Sequence, residues 1–269
     1  MKKTIMKITS LLLFCVMVFS LVMLVRERLR AQREIDEFDR LSALVSGQAS
    51  ASTDDEVAEP GVSVGTEDAT GETEESQKTE PEPVFKRNLQ PVFDQNPDCI
   101  GWIFIEGTRV DYPVMFTPNE AQKYLRKSFS GEYSISGTPF LNDNGGTDFD
   151  NLIIYGHNMK NGTMFSDLEG YLDAEFCIDH SVIEFETANG LKLYEVFAVV
   201  QLKKTDPWYS FTNADDANAY NGLVADIKAR SVLQTESVPE AGVQLLTLST
   251  CYGPKDDDRL IVVAAEMPR

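Results

Sequence analysis

From residue 84 onward the chain is cut into short apolar runs. GWIFIEG, VDYPVMF, GTPFLN and NLIIYG follow one another closely, each bounded by Gly, Pro, Asn or Asp. Such punctuation suits strands and leaves no room for the regular helices that a doubly wound sheet sets between its strands. VIEFETANGLKLYEVFAVVQL reads as a hairpin, with Asn189-Gly190 supplying the positive φ of a tight turn. VQLLTLSTC and RLIVVAAE are two further strands. Helical spacing interrupts the pattern twice, in NEAQKYLRKSF (119–129) and in NADDANAYNGLVADIKARS (213–231), where Asn213 or Asp215 is the expected N-cap. The expectation is a mainly β domain with helical additions (α+β), a closed or nearly closed barrel of about seven or eight strands.

Ahead of this domain the chain changes character twice. Residues 8–25, ITSLLLFCVMVFSLVMLV, carry no charge and are near the lower length limit for a membrane-spanning helix. No small-residue cleavage site follows, so an uncleaved signal anchor is expected over residues 1–25. Lys2, Lys3 and Lys7 precede the run and Arg26, Arg28, Arg30 and Arg33 follow it, so the Lys/Arg bias does not orient it. Residues 26–45 continue as a charged helix in which Ile35, Phe38, Leu41 and Val45 recur at helical spacing. That stripe suits a helix rising from the membrane, or less readily a dimerising coiled coil. Residues 46–83 are Ser-, Thr-, Glu-, Gly- and Pro-rich with almost no large apolar side chains, the composition of a flexible tether. The globular domain is expected over 84–269.

The formal net charge is −19, and roughly half of it sits in residues 46–83. With no basic patch to engage phosphates, a nucleic-acid partner is excluded. The four cysteines, Cys15, Cys99, Cys177 and Cys251, are too sparse and irregular for a disulfide scaffold. There is no CxxC and there are two histidines, which argues against a zinc site.

The chemistry concentrates at strand ends. Cys251 closes the run TLSTC and is followed by the loop-like YGPKDDD, after which Arg259 opens the next strand. A cysteine at a strand end is most often a small buried hydrophobe. If these two strands pair, however, the thiol and the guanidinium approach each other at one end of the sheet. A guanidinium keeps its charge at physiological pH and can hold a thiolate or a developing oxyanion. NLIIYGHNMKNGTMF delivers His157 from another strand into a Gly/Asn loop. A His can pair with a thiolate and later protonate a leaving amine. His180, in the loop-like IDHS, reads as a surface residue.

YGHNM and TLSTC, in that order and with Arg259 following, resemble the sortase family, membrane-anchored cysteine transpeptidases of Gram-positive bacteria. The helical insertion at 205–235 and the helical material before the first barrel strand resemble class B. The resemblance implies Cys251 as nucleophile, His157 as general acid/base and Arg259 as oxyanion stabiliser, with a backbone N–H after Cys251 assisting. It implies no metal and no organic cofactor. It also implies a domain facing the cell wall, partners that are secreted proteins with a C-terminal sorting pentapeptide, and a peptidoglycan-precursor or cross-bridge amine as acceptor.

Substrate contacts rest on the residues alone. Ser249 alternates with Cys251 and shares its face of the strand, so it can line a pocket. Asn151, Tyr155 and Tyr209 are further candidates. The aromatics Trp208, Tyr209 and Phe211 suit a groove wall and equally suit packing of the insertion onto the barrel. Asp256, Asp257 and Asp258 could orient Arg259 or His157, or simply be solvated. Competing readings remain. A pilin-polymerising sortase would carry the same motifs. An L,D-transpeptidase would show Gly-Cys with Arg close behind, whereas Thr250 precedes Cys251 here. In a papain-like hydrolase Cys precedes His. An anchored adhesion or scaffold domain would carry these residues incidentally.

Overall fold

The computed structural model describes residues 2–47, 83–142 and 146–268; of residues 2–5 and 7–12 it describes the backbone alone. The expected acidic tether and the side chains of Lys2, Lys3 and Lys7 therefore lie largely outside the described residues. The strands are β1 (Cys99–Phe104), β2 (Asp111–Met115), β3 (Phe140–Leu141), β4 (Asn151–Tyr155), β5 (Val182–Thr187), β6 (Gly190–Lys203), β7 (Leu245–Cys251) and β8 (Asp258–Glu266). Among the described residues they form one closed barrel in the order β1-β2-β3-β4-β7-β8-β6-β5. The β5–β6 hairpin turns where expected, with Thr187 opposite Gly190 and Gly190 at φ 109.

Side-chain alternation makes two cores. Along β8, Leu260, Val262 and Ala264 point into the barrel, while Ile261, Val263 and Ala265 face outward and are also buried. The outward set is covered by Trp208, Phe211 and the helix Ala217–Ala229, whose Tyr220, Val224 and Ile227 pack down. A strand buried on both faces must be apolar at nearly every position, which is why RLIVVAAE does not alternate. On β7 the outward face begins with the apolar Leu245 and then turns polar, with Thr247 and Ser249.

Four α-helices are described: α1 (Lys2–Val45), α2 (Gln90–Gln95), α3 (Ala174–Asp179) and α4, the Ala217–Ala229 helix already introduced. Among the described residues no helix is long and apolar enough to cross a membrane. The apolar run at 8–25 falls partly on residues whose side chains are outside that description. The far end of α1 docks on the barrel. Phe38, Leu41 and Val45 are buried there, and Phe38 meets the Tyr112 ring edge-on at 5.2 Å. Ser42 Oγ donates to Asp111 Oδ2, whose other oxygen accepts Trp102 Nε1 at 2.6 Å. The stripe that could have paired two helices is thus a docking face. Val45 O accepts Asn88 N at 3.0 Å, so the segment leading into the barrel passes beside the point where α1 ends. Residues 86–87 are then pinned by the fully buried Glu186, which accepts both backbone N–H groups and the Arg87 guanidinium. A buried carboxylate needs such partners to offset its lost hydration.

Two sequence expectations need correction. Residues 119–129 form only a four-residue 3-10 turn, Lys123–Arg126, not a helix. Their buried anchors, Tyr124 and Phe129, are too far apart around a helix to share one face, and each is held separately. Tyr124 Oη donates to Asp98 Oδ2 at 2.8 Å, and Asn96 Nδ2 donates to Phe129 O at 2.5 Å. Helix α4 is capped by Asp216, which accepts Ala219 N at 2.8 Å, rather than by Asn213 or Asp215. Asn213 instead accepts Asp150 N at 3.0 Å and ties the insertion to the start of β4.

Candidate active site

Strands β4, β7 and β8 lie side by side, and register decides what meets at their ends. Cys251 is directly opposite Arg259 in the antiparallel β7–β8 pair. In the parallel β4–β7 pair Tyr155 is level with Ser249. The chain keeps to β7 past the end of β4. Gly156 N donates to Ser249 O at 3.1 Å, Thr250 Oγ1 to Gly156 O at 2.8 Å, and Asn158 Nδ2 to Cys251 O at 3.1 Å. These bonds carry His157 level with Cys251. The loop after it folds back, with Phe165 N donating to His157 O at 2.9 Å. His157, Cys251 and Arg259 thereby line one cleft of about 530 Å³.

Outward parity on β7 places Ser249 beside Cys251 in the same cleft, as expected from their spacing. Tyr155 and Tyr209 also line it. Their rings stack at 5.9 Å, Tyr155 stacks on Phe140 at 5.5 Å, and Tyr209 Oη bonds Ser249 Oγ at 2.8 Å. The insertion's aromatics divide by role: Tyr209 walls the cleft, whereas Trp208 and Phe211 are buried beneath it, with Trp208 Nε1 donating to Thr247 Oγ1. Asn151 is not brought to the cleft. It is buried at the other end of β4, donating to Phe211 O and accepting Thr247 Oγ1. His180 sits at the end of α3, where its Nδ1 bonds Glu106 O at 2.7 Å, away from the site.

Each member of the trio has a distinct setting. Cys251 is an exposed free thiol. Burial pushes the Cys99 thiol up to about 12 and the Cys177 thiol up to about 11, so both stay protonated. The His157 ring is held below the ordinary imidazole range. Burial is the largest cause, the charges of Arg126 and Arg259 add to it, and the bond to Leu125 opposes it. His157 Nε2 lies 2.9 Å from Leu125 O. A carbonyl can only accept, so Nε2 carries the proton of the neutral ring and Nδ1 carries the lone pair. Arg259 Nη1 donates to the carbonyls of Asp256 (2.7 Å) and Asp258 (2.8 Å), which aims the guanidinium through the backbone of its own loop. Nε and Nη2 make no bond to the described residues. The carboxylates do other work: Asp258 pairs with Lys203 and Asp257 with Lys204, fastening the Cys251–Arg259 loop to the end of β6. Sequence reasoning missed both this fastening and the Leu125 carbonyl. Among the described residues no group of three His, Cys, Asp or Glu is placed to hold a metal ion.

Residues 103–267 match the family model of the Sortase domain. The chain belongs to the sortase family. It is 34% identical over 177 residues to a Listeria monocytogenes Sortase B, spanning 64% of this chain and 69% of the relative. With a Staphylococcus aureus Sortase B it is 29% identical over 193 residues, spanning 66% of this chain and 76% of the relative. The S. aureus sortase B–substrate complex superposes with a TM-score of 0.62 at 28% identity, covering 66% of this chain and 84% of that one. The Clostridium perfringens sortase B superposes with 0.63 at 27% identity, covering 67% and 100%. The closed barrel with its helical additions is the class B sortase fold, and the protein is a cysteine transpeptidase of that class.

Proposed function

We propose that Cys251 is the nucleophile, His157 the general acid/base and Arg259 the oxyanion partner of a transpeptidation that attaches secreted proteins to the cell wall. One observation carries this reading: three adjacent strands set an exposed thiol, a half-buried imidazole and a guanidinium held through Nη1 alone among the described residues in one cleft. His157 Nδ1 takes the thiol proton of Cys251, and the thiolate so formed attacks the carbonyl carbon of the threonine in a sorting pentapeptide. A C–S bond forms, and the negative charge moves to the oxygen facing Arg259, whose fixed positive fork needs no reorganisation to hold it. Collapse breaks the C–N bond, and the departing amine leaves with a proton from His157. The resulting thioester is attacked by an amine of a peptidoglycan precursor. His157 takes the proton, the new amide forms, and the thiolate departs. Among the related structures are a sortase B with substrate and a sortase B complexed with triglycine, a peptide that presents a primary amine.

We further propose that residues 8–25 anchor the chain in the cell membrane as a single span, with the catalytic domain facing the wall. Leu13, Phe14, Met17, Phe19, Leu21, Val22 and Leu24 are all exposed along α1, an apolar surface that lipid would cover. Alkaline extraction of membranes is expected to leave the full chain in the pellet; its release to the supernatant would remove the anchor from this reading.

The reaction is tested with the full chain in detergent, a fluorophore-labelled sorting pentapeptide and triglycine. Expected are cleavage after the threonine, a ligated product, and an acyl adduct on the Cys251-bearing tryptic peptide in mass spectra. An adduct on another residue, or hydrolysis unaffected by added amine, would count against the assignment.

A further inference from the structure

Helix α1 and the active site meet through one hairpin-like segment, residues 123–138. Its two arms are laced together: Ser134 N donates to Arg126 O, Thr138 N to Tyr124 O, and Arg126 Nη1 to Ile135 O. On the cleft side, within the 3-10 turn at Lys123–Arg126, the Leu125 carbonyl receives His157 Nε2 at 2.9 Å. Directly against that peptide lies Gly137, at φ 63. A Cβ there would stand 2.7 Å from Leu125 O, 3.0 Å from Leu125 C and 2.6 Å from Tyr124 O. All three atoms are backbone, so they cannot swing aside as a side chain could. The position demands glycine twice over, for its left-handed φ and for the missing Cβ. On the opposite side the segment is clamped by α1. Glu34 accepts Ile135 N at 3.2 Å and Ser136 Oγ at 2.6 Å, and Glu37 accepts Ser130 N at 3.1 Å.

We propose that this segment is a positioning element for His157. The Leu125 carbonyl fixes the imidazole's orientation and tautomer, Gly137 leaves that carbonyl room, and Glu34 of α1 holds the segment in place. The proposal rests on the acid/base role given to His157 above. Its logic is that of an orienting acceptor on a catalytic imidazole. A ring tethered at Nε2 has one nitrogen, Nδ1, left for proton transfer, and it does not lose time in the wrong tautomer. Here the acceptor is a neutral carbonyl, so it orients the ring without adding a second negative charge to a cleft that must host an oxyanion.

The test uses the full chain carrying His180→Gln, so that a single imidazole signal remains for NMR titration. Gly137→Ala is expected to lower kcat about ten- to hundredfold, the usual cost of a misplacement near 1 Å, with KM for the peptide held within about twofold. The His157 midpoint should also move down, because the Leu125 bond is the contribution that favours the charged ring. Arg126 and Arg259, the charged groups beside the ring, are untouched by the substitution. Glu34→Ala removes the clamp from outside the segment and should shift both quantities the same way by less. A folded Gly137→Ala with unaltered kcat and midpoint overturns the proposal, as does a change confined to KM, which would assign the segment to substrate binding. If Gly137→Ala does not fold, Glu34→Ala decides by the same two readouts. Wild-type transfer by His157→Ala would instead sink the underlying acid/base reading, whatever Gly137 does.

Discussion

Cys251→Ala should eliminate transfer, lowering kcat by about 10⁴-fold or more, the scale on which removing a nucleophile from a cooperating set is felt. Alanine leaves no atom to form the thioester, and no other thiol can substitute. Cys99 and Cys177 are buried and held protonated, and Cys15 belongs to α1. The double variant with His157→Ala should be no worse than Cys251→Ala alone, since the two act on one step and their losses do not add. Arg259→Lys should fall between these and wild type, at about 10² to 10³ below in kcat, the cost of losing a preorganised oxyanion donor. A lysine keeps the charge but has a single nitrogen. With three donors against the guanidinium's five, it would have a single N–H left after bonding both the Asp256 and Asp258 carbonyls, and no planar fork to present to an oxyanion. Steady-state transfer to triglycine, with acyl-adduct detection on the same samples, measures all of these. Full activity in Cys251→Ala would end the covalent mechanism, and wild-type kcat in Arg259→Lys would remove the oxyanion role.

How much of this is legible in the sequence depends on how far apart in the chain the interacting groups lie. The Cys251–Arg259 approach follows from local logic: two strands joined by a short loop pair antiparallel, and the residues at the loop's mouth face one another. Ser249 follows from strand parity. The level placement of His157 does not, because β4 and β7 pair in parallel across a crossover that holds α3, a hairpin and α4. The aspartates read as a solvated charge run because the lysine partners of Asp257 and Asp258 lie at the end of β6, far upstream. The division of Trp208 from Tyr209 depends on which ring lands over Thr247 and which over Ser249, a matter of tertiary fit. Asn151 illustrates the opposite error, a polar residue on a site strand that proves to be a buried fastening. The Leu125 carbonyl is beyond reach altogether, since every residue has a carbonyl and none announces itself by type. The stripe Phe38, Leu41 and Val45 is visible as a helical face, but a periodic pattern does not name what the face packs against.

That last face leads to the second large effect. A chain beginning at residue 84 should be much less stable than one beginning at residue 31, although the barrel strands of the two are identical. The longer chain keeps Phe38, Leu41 and Val45, each at most 4% exposed against the barrel. Burying such side chains is worth about 1.5–3 kcal/mol apiece, so their loss amounts to roughly 5–9 kcal/mol before relaxation. The shorter chain also leaves Asp111 without Ser42 and uncovers Tyr112. For a domain of this size each kcal/mol moves Tm by about 2–4 °C, so the melting temperature should fall by at least about 10 °C. Calorimetry on the two chains reads this directly; melting within about 2 °C of each other would mean that the docked helix contributes nothing. The shorter chain also lacks Glu34 and Glu37, and with them the clamp on residues 130–136. Its remaining folded fraction should therefore show the lowered kcat of Glu34→Ala even at temperatures well below its own transition. A helix added only to reach the membrane would move neither quantity. One that completes the domain moves both.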